Sequence, residues 1–432
     1  MDLLSLPLRE LRRSLDSGSL TCETLLRACL ARIDLREPMV GAWERIDRDG
    51  ALSASQALDR GAAKGLLHGI PMGVKDIIDV AGMPTRMGSP IYASAPPAAF
   101  DAECVALARN SGAIVLGKTV TTELATFQPG KTRNPLRPEH TPGGSSSGSA
   151  AAVADGHVPL AIGTQTAGSV IRPAAYCGVV GFKPSFGLVP RKGIKLQADS
   201  LDTVGVFVRN VDDAAIWYAA MTGARTLPAL AERPMQGLRI GVVTNWLDEA
   251  GIEMGLAVAE AADAIASAGA KVRDLRLSTL LVDAHNDQRT LQLAEMARHY
   301  AEEYHQHNEL LSLRVLELLG EGEGISTEVY RAALARTESV RKAADAQFGD
   351  CDAWLMPSAP DAAPRGLDST GDPLFNRLAT TLHQPAINLP VYRNKAGMPL
   401  GLQLVGARHQ DEKLLAIAFA IDKMIRNSRE ED

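Results

Sequence analysis

Two serine-bearing loops lie close together in the sequence and have the composition needed for nucleophilic chemistry. The first is a Gly/Ser-rich stretch at 143–149, and the second is a small-residue turn that ends at Ser169. Glycine lets the backbone approach a ligand closely, because it reaches conformations that a Cβ forbids. Small neighbours also leave N–H groups free to donate. A serine hydroxyl beside such donors is suited to attack a carbonyl carbon while the N–H groups stabilise the oxyanion.

Residues 144–148, GSSSG, also match G-x-S-x-G, the nucleophile motif of the α/β-hydrolases. That motif requires a strand immediately before the turn. The preceding residues, RPEHTPGG, form a Pro/Gly-rich loop instead. The pattern therefore disfavours this alternative, and the chemistry needs no catalytic histidine.

Six segments, in order along the chain, resemble the amidase signature family of serine hydrolases. They are GIPMGVKDIIDVAG, GGSSSGSAAAVA, GTQTAGSVIRPAAYCGVVGFKPS, SLDTVG, TGDPLFNRL and PLGLQLVGAR. The resemblance extends from about residue 65 to the C-terminus and is weaker in the middle. It implies the amidase signature fold and hydrolysis of an amide, with no cofactor and no metal.

The resemblance implies a Ser-Ser-Lys triad. Ser169, in TAGS, matches the nucleophile that forms the acyl-enzyme, and Ser145 matches the bridging serine. Lys75, in GVKD, matches the base at the far end of the proton relay. Family members hold the bridging serine after a cis peptide bond, which would here join Gly144 to Ser145.

Lysine acts as a base only when it is neutral, so the pKa of Lys75 must fall well below about 10.4. Burial among the apolar neighbours at positions 74, 77 and 78 would lower this pKa by desolvation. The alternative is an ordinary salt bridge between Lys75 and Asp76 or Asp79.

By the same resemblance, the oxyanion donors are the backbone N–H groups of Thr166, Ala167 and Gly168, followed by that of Ser169. Pro173 suits the first turn of a short helix, which would place the nucleophile just before a helix N-terminus.

Arg172 follows the nucleophile by three positions, whereas many family members have this arginine two positions on. The motif TAGSVIRPAAYCG resembles that of malonamidase and related bacterial amidases, which implies that the guanidinium group binds a substrate carboxylate. In the alternative interpretation Arg172 only braces the loop. Gly144 and Ser146 are further candidate substrate contacts, although Ser146 and Ser147 are also suited to hydrogen bonds within the loop. Ser147 replaces the glycine of the common GGSSGGS pattern.

Helix and strand patterns alternate along 101–119, 150–164 and 214–269, which is typical of an α/β sheet covered on both faces. We therefore expect one large amidase signature domain over 1–432, with a mixed, twisted β-sheet. Its parts are an N-terminal helical wrap at 1–60, the catalytic core motifs at 65–215 and an insertion-like helical middle at 279–350. The wrap should begin with two helices within 5–36, the second capped by Ser19 or Thr21.

A net charge of −6 and a pI near 5.9 give no indication of a nucleic-acid partner. No apolar run is long enough to span a bilayer, and the five scattered cysteines suit reduced thiols, so we expect a cytoplasmic protein. His299, His305 and His307 cluster in the helical middle, but their spacing favours a solvated helix over a metal site.

The leading hypothesis is an amidohydrolase that releases ammonia from a small, carboxylate-bearing amide such as malonamate. The resemblance also implies a homodimer and no membrane partner. A second hypothesis is the A subunit of an amidotransferase that passes ammonia to a partner chain; an amidase for another small amide or a urea-derived substrate is a third. A protein that only binds or scaffolds is disfavoured, because it would gain nothing from a lysine–serine relay.

Overall fold

The computed structural model describes residues 3–230 and 234–430, and over these residues the chain forms one eleven-stranded sheet and fourteen α-helices. The strands are β1 (Trp43–Ile46), β2 (Pro71–Lys75), β3 (Ile114–Thr119), β4 (Leu160–Gln165), β5 (Val180–Lys183), β6 (Thr203–Val208), β7 (Arg239–Val243), β8 (Lys271–Leu275), β9 (Ala353–Pro357), β10 (Ala386–Arg393) and β11 (Pro399–Val405). The helices are α1 (Leu8–Asp16), α2 (Cys22–Val40), α3 (Arg48–Arg60), α4 (Glu103–Asn110), α5 (Ser147–Ala154), α6 (Ile171–Cys177), α7 (Val211–Met221), α8 (Ile252–Ser267), α9 (Thr279–His299), α10 (Ala301–Gln306), α11 (Leu313–Glu323), α12 (Thr327–Gln347), α13 (Arg377–Thr381) and α14 (Asp411–Glu430).

The strand order is β1-β3-β2-β4-β6-β5-β10-β11-β9-β7-β8. Strands β3, β2 and β4 form one parallel group, and β9, β7 and β8 form a second. Antiparallel pairing joins the two groups through β6, β5, β10 and β11. The expected mixed sheet is confirmed, and its parallel pairs are confined to the two groups.

Successive strand residues enter separate hydrophobic clusters on the two faces of the sheet, since side chains alternate along a strand. In β6, Val206 joins one cluster and Phe207 the other, and Val115 and Leu116 of β3 divide in the same way. The first cluster is covered by α1, α4, α7, α8 and α14, and the second by α2, α3, α5 and α6. The sheet is therefore covered on both faces, as predicted.

The pattern predicted the first helices well. Thr21 caps α2 by accepting a hydrogen bond from the Thr24 N–H, so the second of the two expected caps is the one used. The N-terminal region is not only helical, because β1 adds an edge strand to the sheet within it. Within residues 66–80 only β2 forms a strand, and most of the other residues are in turns and isolated bridges.

All five cysteine side chains are buried and none forms a disulfide. Within the described residues, no helix combines the length and apolar content needed to cross a bilayer. His299 lies 3.1 Å from an Asp199 oxygen, and His305 pairs with Glu323. No group of three or more metal-ligand side chains is found in the described parts of the chain.

Candidate active site

Lys75 is the last residue of β2, and its side chain is fully buried. Its Nζ lies 2.7 Å from Ser145 Oγ and 2.9 Å from Thr164 Oγ1. Strand β4 runs parallel to β2 with Ile162 opposite Val74, so both strands deliver their carboxyl ends to the same edge of the sheet. Sequence reasoning missed Thr164. The feature that could have indicated it is its position near the end of β4, the strand beside the lysine-bearing β2.

Burial lowers the pKa of Lys75 to about 7, and the nearby carboxylate of Asp202 acts in the opposite direction. At neutral pH a large fraction of this amine is uncharged and carries a lone pair that accepts a proton. The alternative ion pair is not formed. Within the described residues, Asp76 lies 2.7 Å from Lys118 Nζ, and Asp79 accepts a hydrogen bond from the Thr85 hydroxyl.

Ser145 lies in the loop before α5, and the peptide bond between Gly144 and Ser145 is cis, as the resemblance implies. The Thr122 N–H donates to the Ser145 carbonyl at 3.2 Å. The Ser146 hydroxyl is fully buried and donates to the Thr164 carbonyl at 3.2 Å, and the Ser147 hydroxyl lies 3.4 Å from the Val120 carbonyl. These two hydroxyls brace the loop.

Ser169 lies two residues before α6 and is partly exposed. Pro173 is in the first turn of that helix, as predicted. Among residues 3–230 and 234–430, the N–H groups of residues 166–169 have no hydrogen-bond acceptor, so they are free to donate. The Ser169 hydroxyl also has no recorded partner there. The structure therefore joins Lys75 to Ser145, while the link from Ser145 to Ser169 is not formed as a hydrogen bond.

The two serine loops are nevertheless held together. The Gly144 carbonyl accepts a 2.7 Å hydrogen bond from Arg172, three residues after the nucleophile. A Cβ built on Gly143 would lie 2.8 Å from Pro173 Cα, so the first loop presses against the helix that follows the second.

Asp202 is a buried acidic residue of the site. It lies within the SLDTVG segment, but sequence reasoning assigned it no role. It directly precedes β6, whose Thr203 pairs with Gln165 of β4, and this register brings it beside the second serine loop. Its carboxylate accepts hydrogen bonds from the Thr166 hydroxyl and, at 2.7 Å, from the Gln197 N–H. Burial raises the pKa of Asp202 despite these bonds.

Arg172 is buried, and its Nη2 donates to the Gly144 carbonyl at 2.7 Å and to the Thr370 hydroxyl at 3.2 Å. Its Nε and Nη1 are buried without a hydrogen-bond partner in the described parts of the chain. Burial lowers the pKa of Arg172 to about 10. The guanidinium carbon lies 6.0 Å from the centre of the Phe127 ring. Arg172 thus braces the loop and retains donors for another group.

A cavity of about 540 Å³ lies on this side of the site. Phe127, Gly371 and Pro373 line it, and the segment 368–373, which contains Thr370, supplies much of its wall. The same segment faces both serine loops. A Cβ built on Gly144 would lie 2.8 Å from the Thr370 methyl group, and a Cβ built on Gly168 would lie 3.0 Å from Pro373 Cβ.

Comparisons with known proteins identify the family of this chain. The family model described as amidase matches residues 24–415. The A subunit of glutamyl-tRNA(Gln) amidotransferase from Agathobacter rectalis is 31% identical, covering 98% of this chain and 94% of the relative. The native peptide amidase from Stenotrophomonas maltophilia has a TM-score of 0.84 at 31% identity, covering 98% of this chain and 97% of that one.

A second similar structure comes from a protein complex described as revealing the evolutionary origins of an s-triazine catabolic enzyme. Its TM-score is 0.89 at 26% identity, and 98% of each chain is covered. Three curated relatives that cover 96 to 98% of this chain are amidotransferase A subunits and not malonamidases. With the family match extending over most of its length, this chain belongs to the amidase signature family and is a hydrolase of carbon–nitrogen bonds in amides.

Proposed function

We propose that this protein hydrolyses a small, carboxylate-bearing amide to a carboxylate and ammonia through an acyl-enzyme on Ser169. The observation that carries the proposal is the buried amine of Lys75, with a pKa near 7 and 2.7 Å from the Ser145 hydroxyl. Burial also lowers the pKa of Lys183 to about 7, but that amine bonds only backbone carbonyls among the described residues. Lys75 differs because its amine contacts the Ser145 and Thr164 hydroxyls, and a hydroxyl can pass on a proton.

In the acylation step, Ser169 Oγ attacks the carbonyl carbon and forms a C–O bond. The Ser169 proton passes to Ser145, whose own proton passes to the lone pair of Lys75. The negative charge moves to the carbonyl oxygen, where the free N–H groups of residues 166–168 stabilise it; each such donor is worth roughly 3 to 4 kcal/mol. Return of the proton to the nitrogen breaks the C–N bond and releases ammonia.

Deacylation uses the same groups. Water attacks the acyl carbon, and its proton passes through the relay to Lys75. The second tetrahedral adduct collapses by breaking the bond to Ser169 Oγ, which takes the proton back. The net reaction consumes one water and leaves the side chains unchanged, so it needs no redox partner.

Arg172 supports a substrate with a carboxylate on its acyl part. Its Nε and Nη1 carry N–H groups that are buried and unsatisfied by the described residues, and such groups are costly to leave unpaired. A carboxylate matches the guanidinium fork in shape and charge. Malonamate, whose carboxylate lies one methylene group from the amide, is the small substrate that we propose.

The second candidate is the A subunit of an ammonia-transferring amidotransferase, and the curated relatives support it more strongly than they support malonamate hydrolysis. This chain and the relative differ in length. The alignment with the Agathobacter rectalis subunit is 481 positions long, longer than the 432 residues of this chain, so the relative carries segments that this chain lacks. The relay chemistry is the same in both roles, and only the fate of the ammonia differs.

A panel of small amides, supplied to the purified chain without ATP, tRNA or another protein, tests the proposal. We expect ammonia from malonamate, little from its neutral analogue malonamide, and an acyl adduct on the Ser169 peptide by mass spectrometry. The Ser169→Ala and Ser145→Ala variants should lose turnover, while Ser147→Ala, in the same loop, should retain it.

Undiminished turnover in Ser169→Ala would reject the serine mechanism. Ammonia that appears only with a copurified partner would favour the amidotransferase role. Efficient release of ammonia from ureas or from uncharged amides would be consistent with the proposed relay, but it would contradict malonamate as the substrate. A homodimer and a cytoplasmic location remain proposals, and light scattering on the purified chain tests the first.

A further inference from the structure

Three consecutive carbonyl groups of the second serine loop are each held by a donor. The Thr166 carbonyl accepts a hydrogen bond from Gln288 Nε2 at 3.1 Å, and the Ala167 carbonyl accepts one from Thr380 Oγ1 at 2.9 Å. The Gly168 carbonyl accepts one from the Arg172 N–H at 2.9 Å. The first two donors come from α9 and α13, which are far from the loop in the sequence.

Holding a carbonyl also fixes the direction of the next N–H group. A peptide unit is planar, and in the trans form its C=O and N–H bonds point in opposite directions. In the described chain only the bond between Gly144 and Ser145 is cis, so the units of this loop are trans. Each bond therefore directs the next N–H group, that of Ala167, Gly168 or Ser169, away from the donor that holds the carbonyl, and none of these three N–H groups has a partner in the described structure.

A row of buried carboxamides fixes the orientation of Gln288. Gln197 Nε2 donates to the Leu124 carbonyl at 3.0 Å, which leaves Gln197 Oε1 to accept from Gln292 Nε2 at 3.0 Å. Gln292 Oε1 in turn accepts from Gln288 Nε2 at 2.9 Å. Since a backbone carbonyl only accepts, it sets the direction of every bond in the row. The amide nitrogen of Gln288, and not its oxygen, must face the Thr166 carbonyl.

Similar reasoning orients the Thr380 hydroxyl. Gln165 Oε1 accepts from the N–H groups of Val170 and Ile171 at 2.9 and 3.1 Å, so the amide nitrogen of Gln165 faces Thr380. That nitrogen donates to Thr380 Oγ1 at 3.0 Å. The hydroxyl proton then has two carbonyl acceptors, and that of Ala167, at 2.9 Å, is nearer than that of Asn376, at 3.3 Å.

We propose that Gln288 and Thr380 are positioning residues for the oxyanion donors. They hold the carbonyls of Thr166 and Ala167, and through the peptide planes they direct the N–H groups of Ala167 and Gly168 toward the oxygen that becomes negative. This inference rests on the proposed acyl-enzyme on Ser169. It also makes α9, part of the helical middle, a component of the catalytic machinery.

Paired threonine variants test the role of Thr380. Thr380→Val removes the hydroxyl with little change in shape, Thr380→Ser retains it, and Thr381→Val is the matched control. Thr381 is the next residue of α13 and is fully buried. Among the residues that the structure describes, its hydroxyl bonds only the Arg377 carbonyl of the same helix. The corresponding change on α9 is Gln288→Met, which keeps the length of the side chain.

The assay is the burst of p-nitrophenolate when the purified enzyme is mixed with p-nitrophenyl acetate, since this probe acylates a reactive serine whatever the natural amide is. We expect the acylation rate constant to fall roughly tenfold in Thr380→Val and in Gln288→Met, which is less than the roughly 10² to 10³ for loss of a whole oxyanion donor. Thr380→Ser should restore most of the rate, and Thr381→Val should behave as wild type.

A second readout separates positioning from a general loss of structure. Methylboronic acid forms a tetrahedral anionic adduct with a reactive serine, whereas acetate does not. In Thr380→Val and Gln288→Met, the affinity for methylboronic acid should therefore fall in parallel with the acylation rate, and the affinity for acetate should not change. Equal rates in Thr380→Val and Thr381→Val would overturn the inference, and so would a parallel loss of acetate binding. A burst that persists in Ser169→Ala would instead reject the serine mechanism itself.

Discussion

At the scale of single residues, the protonation of Lys75 should set the pH dependence of the reaction. Burial lowers the pKa of Lys75 to about 7, so the amine is mostly protonated below that pH and mostly neutral above it. Only the neutral amine accepts the proton from Ser145. We expect kcat/KM for amide hydrolysis to rise through pH 7 and then to level off, in a series from pH 5 to 9. A profile that falls through pH 7 would contradict this role.

Asp202→Asn should move the same titration. The carboxylate of Asp202 raises the pKa of Lys75, so its removal lowers that pKa further and shifts the acid limb of kcat/KM to lower pH. Asparagine retains an oxygen that accepts from the Thr166 hydroxyl. The control is Asp79→Asn, whose carboxylate instead bonds Thr85. If the acid limb of kcat/KM does not shift in Asp202→Asn, the charge of Asp202 does not affect the pKa of Lys75.

The lysine should also lower stability, and Lys75→Met should reveal this. The pKa of Lys75 is lower in the folded state than the value of about 10.4 expected in the unfolded chain, so its contribution is most favourable above pH 10 and is lost as the pH falls through 7. The gain in unfolding free energy from Lys75→Met should be larger at pH 6 than at pH 9, by roughly 2 to 3 kcal/mol. Denaturant titrations measure it, with the exposed Lys192→Met as control. Equal gains at both pH values would contradict the lowered pKa.

Arg172→Ala should separate carboxylate binding from bracing of the loop. The bond to the Gly144 carbonyl affects every substrate, while the unpartnered Nε and Nη1 affect only a substrate that carries a carboxylate. The loss in kcat/KM should therefore be roughly tenfold or more greater for malonamate than for malonamide. Equal losses for the two amides would assign Arg172 to the loop alone.

At the scale of elements, Gly168→Ala should disturb the loop that joins β4 to α6. A Cβ at this position would lie 2.3 Å from Asn376 Oδ1 and 3.0 Å from Pro373 Cβ, so the loop or α13 must shift. We expect a lower kcat in a folded protein. Gly168→Ala/Asn376→Ala should recover part of it, and Gly255→Ala on α8, where a Cβ meets nothing within 4 Å, should behave as wild type. A fully active Gly168→Ala would show that the loop tolerates the displacement.

The sequence was informative where the pattern is local. Thr21 is a cap because its hydroxyl accepts an N–H from its own helix, and β3 follows α4 after a glycine-bearing turn. Partners brought in by sheet register were missed. Asp202 meets Thr166 only because β6 is antiparallel to β4, and no local pattern predicts that register.

At the scale of the whole molecule, the alternation of helices and strands predicted the class of fold but not the strand order. Loop lengths and periodicity do not specify which strands pair, so the antiparallel bridge between the two parallel groups was not predictable. The candidate site lies at the boundary between one parallel group and this bridge, between β2, β4 and β6. The contact between Gln288 and Thr166 was not predictable for the same reason, because the two residues are more than a hundred positions apart in the sequence.

The burial of all five thiols has a practical consequence for chemical labelling. Each cysteine is at most 3% exposed, so its sulfur is out of reach of a reagent. Burial also raises the pKa of Cys22, Cys29 and Cys104 to about 12, so their reactive thiolates are scarce. Iodoacetamide should leave the native enzyme active. The rate at which each sulfur becomes alkylated would then report how often that part of the protein opens, residue by residue along the core.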